Sequence, residues 1–200
     1  MTDPAMKKLV NQFARVAREG ENVIPLELTE GLKFSFLVCN LDDPWRGGEF
    51  IFEVSLRGYP EKAPVIRCLT ENGLFAVGAA ICIHGITAFH GNEWVRGTKL
   101  SLITRNVASQ MVVMDEMRGA VGVVDTSPEY KAAASERSRE FNARTNGGLS
   151  KILDEFVGAN PKNVAVTRLE RIRSGMSVDA ANDPSTGDSA GGAAADATND

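Results

Sequence analysis

The sequence predicts an α+β protein: an N-terminal helix, a four-stranded antiparallel meander, a long irregular segment and then C-terminal helices. Three observations carry this expectation. Apolar residues recur at helical spacing before residue 20, alternate with a period of two through residues 32–69, and return to helical spacing from residue 100. Strands that follow one another without intervening helices pair as a meander rather than as repeated βαβ units.

Asp3-Pro4 reads as a helix start, Asp as N-cap and Pro at the first helical position. Met6, Leu9, Val10, Phe13 and Ala17 follow as its apolar face, and Gly20 is the expected stop. The opposite face carries Lys7, Lys8, Arg15 and Arg18, either a solvated surface or one that meets a partner. Residues 23–28 form a short strand, and Leu32, Phe34, Phe36 and Val38 alternate in the next. Asp42-Asp43-Pro44 and Arg46-Gly47-Gly48 punctuate a connection. Phe50, Phe52, Val54 and Leu56 then alternate with Ile51, Glu53, Ser55 and Arg57, which predicts a strand buried on one face. Gly58-Tyr59-Pro60 turns the chain into a fourth strand over residues 64–69.

Residues 70–97 contain Gly73, Gly78, Gly85, Gly91 and Gly97 with no sustained period. So long an irregular stretch inside a compact domain is uncommon and is usually functional. Leu100, Ile103, Val107, Met111 and Met114 restore helical spacing, with Thr98 as candidate cap. Ser127-Pro128 opens another helix to about residue 146, which Gly147-Gly148 is expected to end. Two amphipathic pieces follow: Leu149, Ile152, Leu153 and Phe156, then Val164, Leu169 and Ile172 after Asn160-Pro161. From Ser174 the chain is mostly Ala, Gly, Ser, Asp and Thr without aromatics, a composition expected to be disordered.

Composition narrows the function classes. With 43% hydrophobic and 24% charged residues the chain has ordinary globular content. A net charge of −4 argues against bulk attraction to nucleic acid or anionic lipid. Asp179, Asp183, Asp188, Asp196 and Asp200 carry that charge, and without them the remainder sums to about +1. No apolar run reaches the ~20 residues that span a bilayer, and the first residues lack a secretory pattern. Three cysteines without C-x-x-C spacing fit a reducing compartment, so the expectation is a soluble cytoplasmic or nuclear protein without a membrane anchor.

Cys39 ends a strand-patterned run and Cys68 lies inside one, as small buried hydrophobes do. Cys82 alone stands in the irregular segment, between Ile81 and Ile83, with His84 and His90 close behind. A Cys–His nucleophile pair is the disfavoured alternative at this position. Cys82, His84 and His90 match no common zinc spacing, so no metal is expected. Phosphate-cradling motifs, H-E-x-x-H and G-x-S-x-G are absent.

In order and spacing, Gly47-Gly48-Glu49-Phe50-Ile51-Phe52-Glu53-Val54, Gly58-Tyr59-Pro60-Glu61-Lys62-Ala63-Pro64, Ile81-Cys82-Ile83 and Trp94 resemble the ubiquitin-conjugating enzymes. Within that family the chain most resembles the J branch, tail-anchored enzymes of endoplasmic-reticulum quality control. Thr70-Glu71-Asn72-Gly73-Leu74-Phe75 resembles that branch's Thr-Pro-Asn-Gly-x-Phe, and Asn72 stands ten positions before Cys82, as in that branch. Gly119-Ala120-Val121-Gly122 and Asp125-Thr126-Ser127-Pro128-Glu129 resemble a further passage of it. The likeness covers about residues 4–145.

The resemblance implies the ubiquitin-conjugating fold and a thioester mechanism. An activating enzyme, which consumes the ATP, passes ubiquitin to Cys82; a ubiquitin ligase then assists transfer to a protein substrate's amine or hydroxyl. No cofactor is implied for the chain itself. Asn72 would be the amide near the oxyanion, acting as donor or by holding its loop. The basic face with Lys7, Lys8 and Arg15 would meet the activating enzyme. Tyr59, Pro60, Glu61 and Lys62, with Trp94 and Arg96, would meet a ligase. His84 and His90 would line the groove or simply face solvent. Residues 1–146 would be the catalytic core, 147–173 a helical extension that packs on it or binds a partner, and 174–200 the acidic tail.

The chain departs from the pattern at Glu71, which replaces a proline, at Ala63, at Arg96-Gly97 after Trp94, and in lacking an apolar tail. Alternatives are a silent ubiquitin- or ligase-binding scaffold of the same fold, an enzyme for another ubiquitin-like modifier, and a Cys-dependent hydrolase. Substrate, linkage and cognate ligase are not legible in the residues.

Overall fold

A computed structural model of the chain describes residues 4–29, 32–113, 119–124 and 126–176. The expected Asp3 cap, Met114, Asp125, the His90 side chain and the tail from residue 177 lie outside the described residues. Helix α1 (Pro4–Glu19) precedes strands β1 (Val23–Thr29), β2 (Lys33–Val38), β3 (Phe50–Ser55) and β4 (Val65–Cys68). Helices α2 (Leu100–Val112), α3 (Pro128–Thr145), α4 (Gly147–Ala159) and α5 (Val164–Arg173) follow. The sheet has the order β1-β2-β3-β4 with each neighbouring pair antiparallel, the expected meander.

Period-two alternation sends Phe34, Phe36, Phe52, Val54, Ile66 and Cys68 to one face, against Leu9 and Val16 of α1 and Leu100, Ile103, Val107 and Met111 of α2. Rings run across this face in contact: Phe13 edge-on to Phe34, Phe34 and Phe52 each stacked with Phe36, and Phe52 edge-on to Phe75. On α1 the sequence expectation needs one change, because Val10 is half exposed and Val16 takes the buried position.

The other face of the sheet is also buried. Ile24, Leu26, Leu37, Cys39 and Ile51 pack against Leu153 of α4 and Ala165, Val166 and Leu169 of α5. β3 is therefore buried on both faces at Ile51, where alternation had predicted one. The 147–173 helices pack on the sheet. Arg173, the last residue of α5, pairs bidentately with Glu49 at 2.8 and 2.9 Å, and both side chains are nearly buried. Asn163 caps α5 at Val166 N–H (3.2 Å) and also donates to the Ala17 carbonyl at the end of α1 (2.6 Å). Ser174, Gly175 and Met176 still hydrogen-bond back to this helix.

Ser127 caps α3 as expected, accepting from Tyr130 N–H, with Pro128 at the first position. Two other boundaries differ from the expectation. Thr98 does not cap α2; its hydroxyl donates to Val95, while Gln12 of α1 accepts the Leu100 N–H at 2.9 Å. A side chain from another helix supplies that cap, which no local motif reveals. Gly147-Gly148 opens α4 instead of closing α3, because Asn146 makes the break and donates to the Leu69 carbonyl at 2.9 Å.

Candidate active site

Residues 70–97 are irregular, apart from a short 3-10 turn at Ala88–Glu93. Their first part is tied to α3 and the sheet by a buried polar network. Thr70 Oγ accepts the Ile51 N–H (2.9 Å) and donates to Asn142 Oδ1 of α3 (2.6 Å). Asn142 in turn donates to the Glu49 carbonyl, and Ser138 Oγ accepts the Glu49 N–H. Thr70, Ser138 and Asn142 are all buried, so each needs these partners.

Asn72 is fully buried and its amide is fully used. Oδ1 accepts from Leu74 N–H and Phe75 N–H, both at 2.8 Å. Nδ2 donates to Cys68 Sγ (2.9 Å) and the Thr70 carbonyl (3.1 Å). Its backbone carbonyl accepts from the indole of buried Trp45 (2.9 Å), and Lys131 lies over that ring. The next residue, Gly73, has φ +74°, and a Cβ there would come within 3.0 Å of Thr126, Lys131 and Tyr130.

Cys82 sits between Ile81 and Ile83, which are buried, and is itself partly exposed. On an extended chain, burying both neighbours turns the middle side chain outward. Its N–H is held by the Val121 carbonyl at 2.9 Å. The same segment, residues 119–124, reaches back to the Asn72 loop through Ala76 N–H to Gly122 (2.9 Å) and Val124 N–H to Leu74 (2.8 Å). Gly122 lies against the Ala80 carbonyl, where a Cβ would approach to 2.4 Å, and its φ is +80°. Residues 119–124 thus join the Asn72 loop to the Cys82 segment. The sequence marks this passage by its resemblance to the J branch, but not the joint it makes.

The three thiols differ in state. Burial pushes the Cys39 thiol far up and the Cys68 thiol up to about 12, so both stay protonated and enclosed. Cys82 has solvent access, which a thiolate nucleophile requires. His84 is largely exposed and its Nδ1 lies 3.2 Å from Glu93. Among the described residues no group of three or more His, Cys, Asp or Glu could hold a metal ion. No helix among them is long and apolar enough to cross a membrane.

The residues expected at partner surfaces fall into two sets. Lys7 and Lys8 are exposed on α1, and Arg15 pairs with Glu19 at 2.5 Å. The 59–62 turn and the 94–97 segment form one surface: the Trp94 indole donates to the Pro60 carbonyl at 3.0 Å, Gly97 N–H does so at 3.4 Å, and Arg96 pairs with Glu61. Tyr59 packs beside Trp94, its hydroxyl within bonding distance of the Thr98 carbonyl (2.6 Å) and Gln12 (2.9 Å). Gln12, Trp45 and the Glu71 contacts with α3 escaped the sequence reading. Each joins segments far apart in the chain.

An α+β chain with a four-stranded meander, and a single accessible thiol whose segment is joined through residues 119–124 to the loop of a braced asparagine, has the architecture of the ubiquitin-conjugating fold. Comparison with known proteins agrees. The chain is 28% identical over 154 residues to mouse ubiquitin-conjugating enzyme E2 J1, which covers 76% of this chain and 48% of that protein. Saccharomyces cerevisiae ubiquitin-conjugating enzyme E2 6 is 27% identical over 189 residues, 92% of this chain and 74% of the yeast protein. Arabidopsis thaliana ubiquitin-conjugating enzyme E2 32 is 26% identical over 159 residues, 77% of this chain and 50% of that protein. No family model matches the chain. The chain spans about half the length of its mouse and human relatives. These relatives, J-type members among them, support a likeness to the ubiquitin-conjugating enzyme family over most of the chain.

Proposed function

We propose that this chain accepts ubiquitin from an activating enzyme as a thioester on Cys82 and transfers it to a substrate amine or hydroxyl with the help of a ligase. The observation that carries the reading is that, of three thiols, Cys82 alone reaches solvent while its neighbours on both sides are buried. The Cys82 thiolate would attack the thioester carbonyl on the activating enzyme and expel that enzyme's thiolate. The incoming amine or hydroxyl then attacks the new thioester, loses its proton, and releases Cys82 as thiolate. ATP is consumed upstream, and the chain needs no cofactor of its own.

With both ends of its amide already committed, Asn72 is better suited to bracing the loop than to donating directly to an oxyanion. Lys7, Lys8 and Arg15 would face the activating enzyme, and the joined 59–62 and 94–97 surface a ligase. Incubation with activating enzyme, ATP and ubiquitin should give an adduct that reductant cleaves. In Cys82→Ser the adduct should resist reductant or not form. A reductant-sensitive adduct that survives in Cys82→Ser but is lost in Cys39→Ser or Cys68→Ser would overturn the assignment. A folded protein that binds ubiquitin without ever charging would establish a scaffold instead.

A further inference from the structure

We propose that Glu71 and Tyr130 act as a positioning pair, holding the Asn72 loop against the first turn of α3 so that transfer from Cys82 depends on their contact more than charging does. The proposal rests on the thioester reading above. The Tyr130 hydroxyl donates to the Glu71 carboxylate, and Arg137 approaches the same oxygen at 3.8 Å. A hydrogen bond onto an ionised carboxylate is stronger than one between neutral groups.

The location is what gives the contact its consequence. Glu71 stands between Thr70 and Asn72, both fully buried and hydrogen-bonded on the inner side of the loop. Where the resembling motif has proline, a ring would fix φ; glutamate leaves that angle free. The side chain supplies the missing restraint from outside by reaching α3. Two neighbouring contacts run the same way. The Thr126 hydroxyl donates to the Gly73 carbonyl, and glycine at 73 leaves room for Thr126, Lys131 and Tyr130 to close on the loop. Tyr130 is itself fixed at its N–H by the Ser127 cap. The loop is thereby clamped between a buried network and the start of α3.

The first readout needs no enzymatic activity. The bond to Glu71, and then its charge, hold the Tyr130 phenol above its ordinary range. The chain has two tyrosines, so subtracting the ultraviolet titration of Tyr130→Phe isolates the Tyr130 curve. In Glu71→Gln that curve should move down toward the ordinary phenol value. A curve already at the ordinary value in the intact protein, unmoved by Glu71→Gln, would overturn the proposal even if the chain charges normally. The second readout is kinetic. Tyr130→Phe and Glu71→Ala should each slow single-turnover discharge of the thioester onto free lysine about fivefold, with charging altered less than about twofold. The double variant should be no slower than either, and Glu71→Gln, which keeps an acceptor, should retain most of the rate. Equal slowing of charging and discharge, additive losses, or no loss would each overturn it. If the intact protein never charges, the transferase reading fails and the phenol titration alone decides the pair.

Discussion

Before Cys82 the chain is braced from within: Thr70 and Asn72 are fully buried, and every polar atom of the Asn72 amide has a partner. After Cys82 it is different. Buried Ile86 and Thr87 anchor the start of the 84–97 segment, but beyond them Phe89 and Val95 are 48% and 70% exposed, and the ties between His84 and Glu93, Arg96 and Glu61, and Trp94 and Pro60 lie at or near the surface. Both stretches are irregular, so secondary structure does not distinguish them. What differs is where their polar groups find partners. A buried network fixes one geometry because every unmade bond is costly. A surface held by exposed ion pairs is cheap to rearrange and free to meet another protein. The first suits a group that must be in place when a thioester is attacked; the second suits docking.

The sharpest way to break this contrast is Asn72→Ala. It leaves two buried N–H groups, of Leu74 and Phe75, without acceptors, at about 1–3 kcal/mol each. A stability loss of about 3 kcal/mol is expected in denaturant unfolding, together with a fall in discharge of roughly 100-fold from misplacement of the loop. Loss of discharge with an unmoved unfolding midpoint would refute the bracing role and make the amide a direct donor. Glycines give a smaller, matched test. Gly122→Ala puts a Cβ 2.4 Å from the Ala80 carbonyl at φ +80°, and about 2–3 kcal/mol of destabilisation is expected. Gly97→Ala, at φ +85° but with nothing within 4 Å, should cost about 1 kcal/mol. Equal losses would mean that the 119–124 joint and the docking segment are equally tightly packed.

The same contrast explains what the sequence could reveal. The meander was legible because alternation is local: Phe34, Phe36, Phe52 and Val54 announce their face by spacing alone. The Ser127-Pro128 helix start was legible for the same reason. Cys82 stood out because both other thiols lie in strand-patterned runs. Burial of Ile51 on the second face was not legible, since only the docking of α4 and α5 covers it. The Gln12 cap on α2, the Trp45 indole on Asn72 and the Glu71–Tyr130 bond were hidden too. Each depends on which segments the fold brings together, and no window of neighbouring residues contains that information. The replacement of proline by Glu71 was visible, but only the position of α3 shows what the carboxylate does.

The smallest effect on stability is expected on the docking side, from Arg96→Ala. Arg96 and Glu61 are both more than half exposed, so losing their ion pair should cost under about 1 kcal/mol, measured by thermal unfolding. Ligase-stimulated discharge should nevertheless fall several-fold if this surface meets a ligase. Exchanging the charges, Glu61→Arg with Arg96→Glu, separates bracing from recognition. The exchanged pair can still join the 59–62 turn to the 94–97 segment, but it presents the opposite pattern of charge to a partner. Recovery of ligase response in the exchanged protein would mean that the pair only holds its two segments together. Continued loss, with the unfolding midpoint restored, would mean that the partner reads Arg96 and Glu61 themselves.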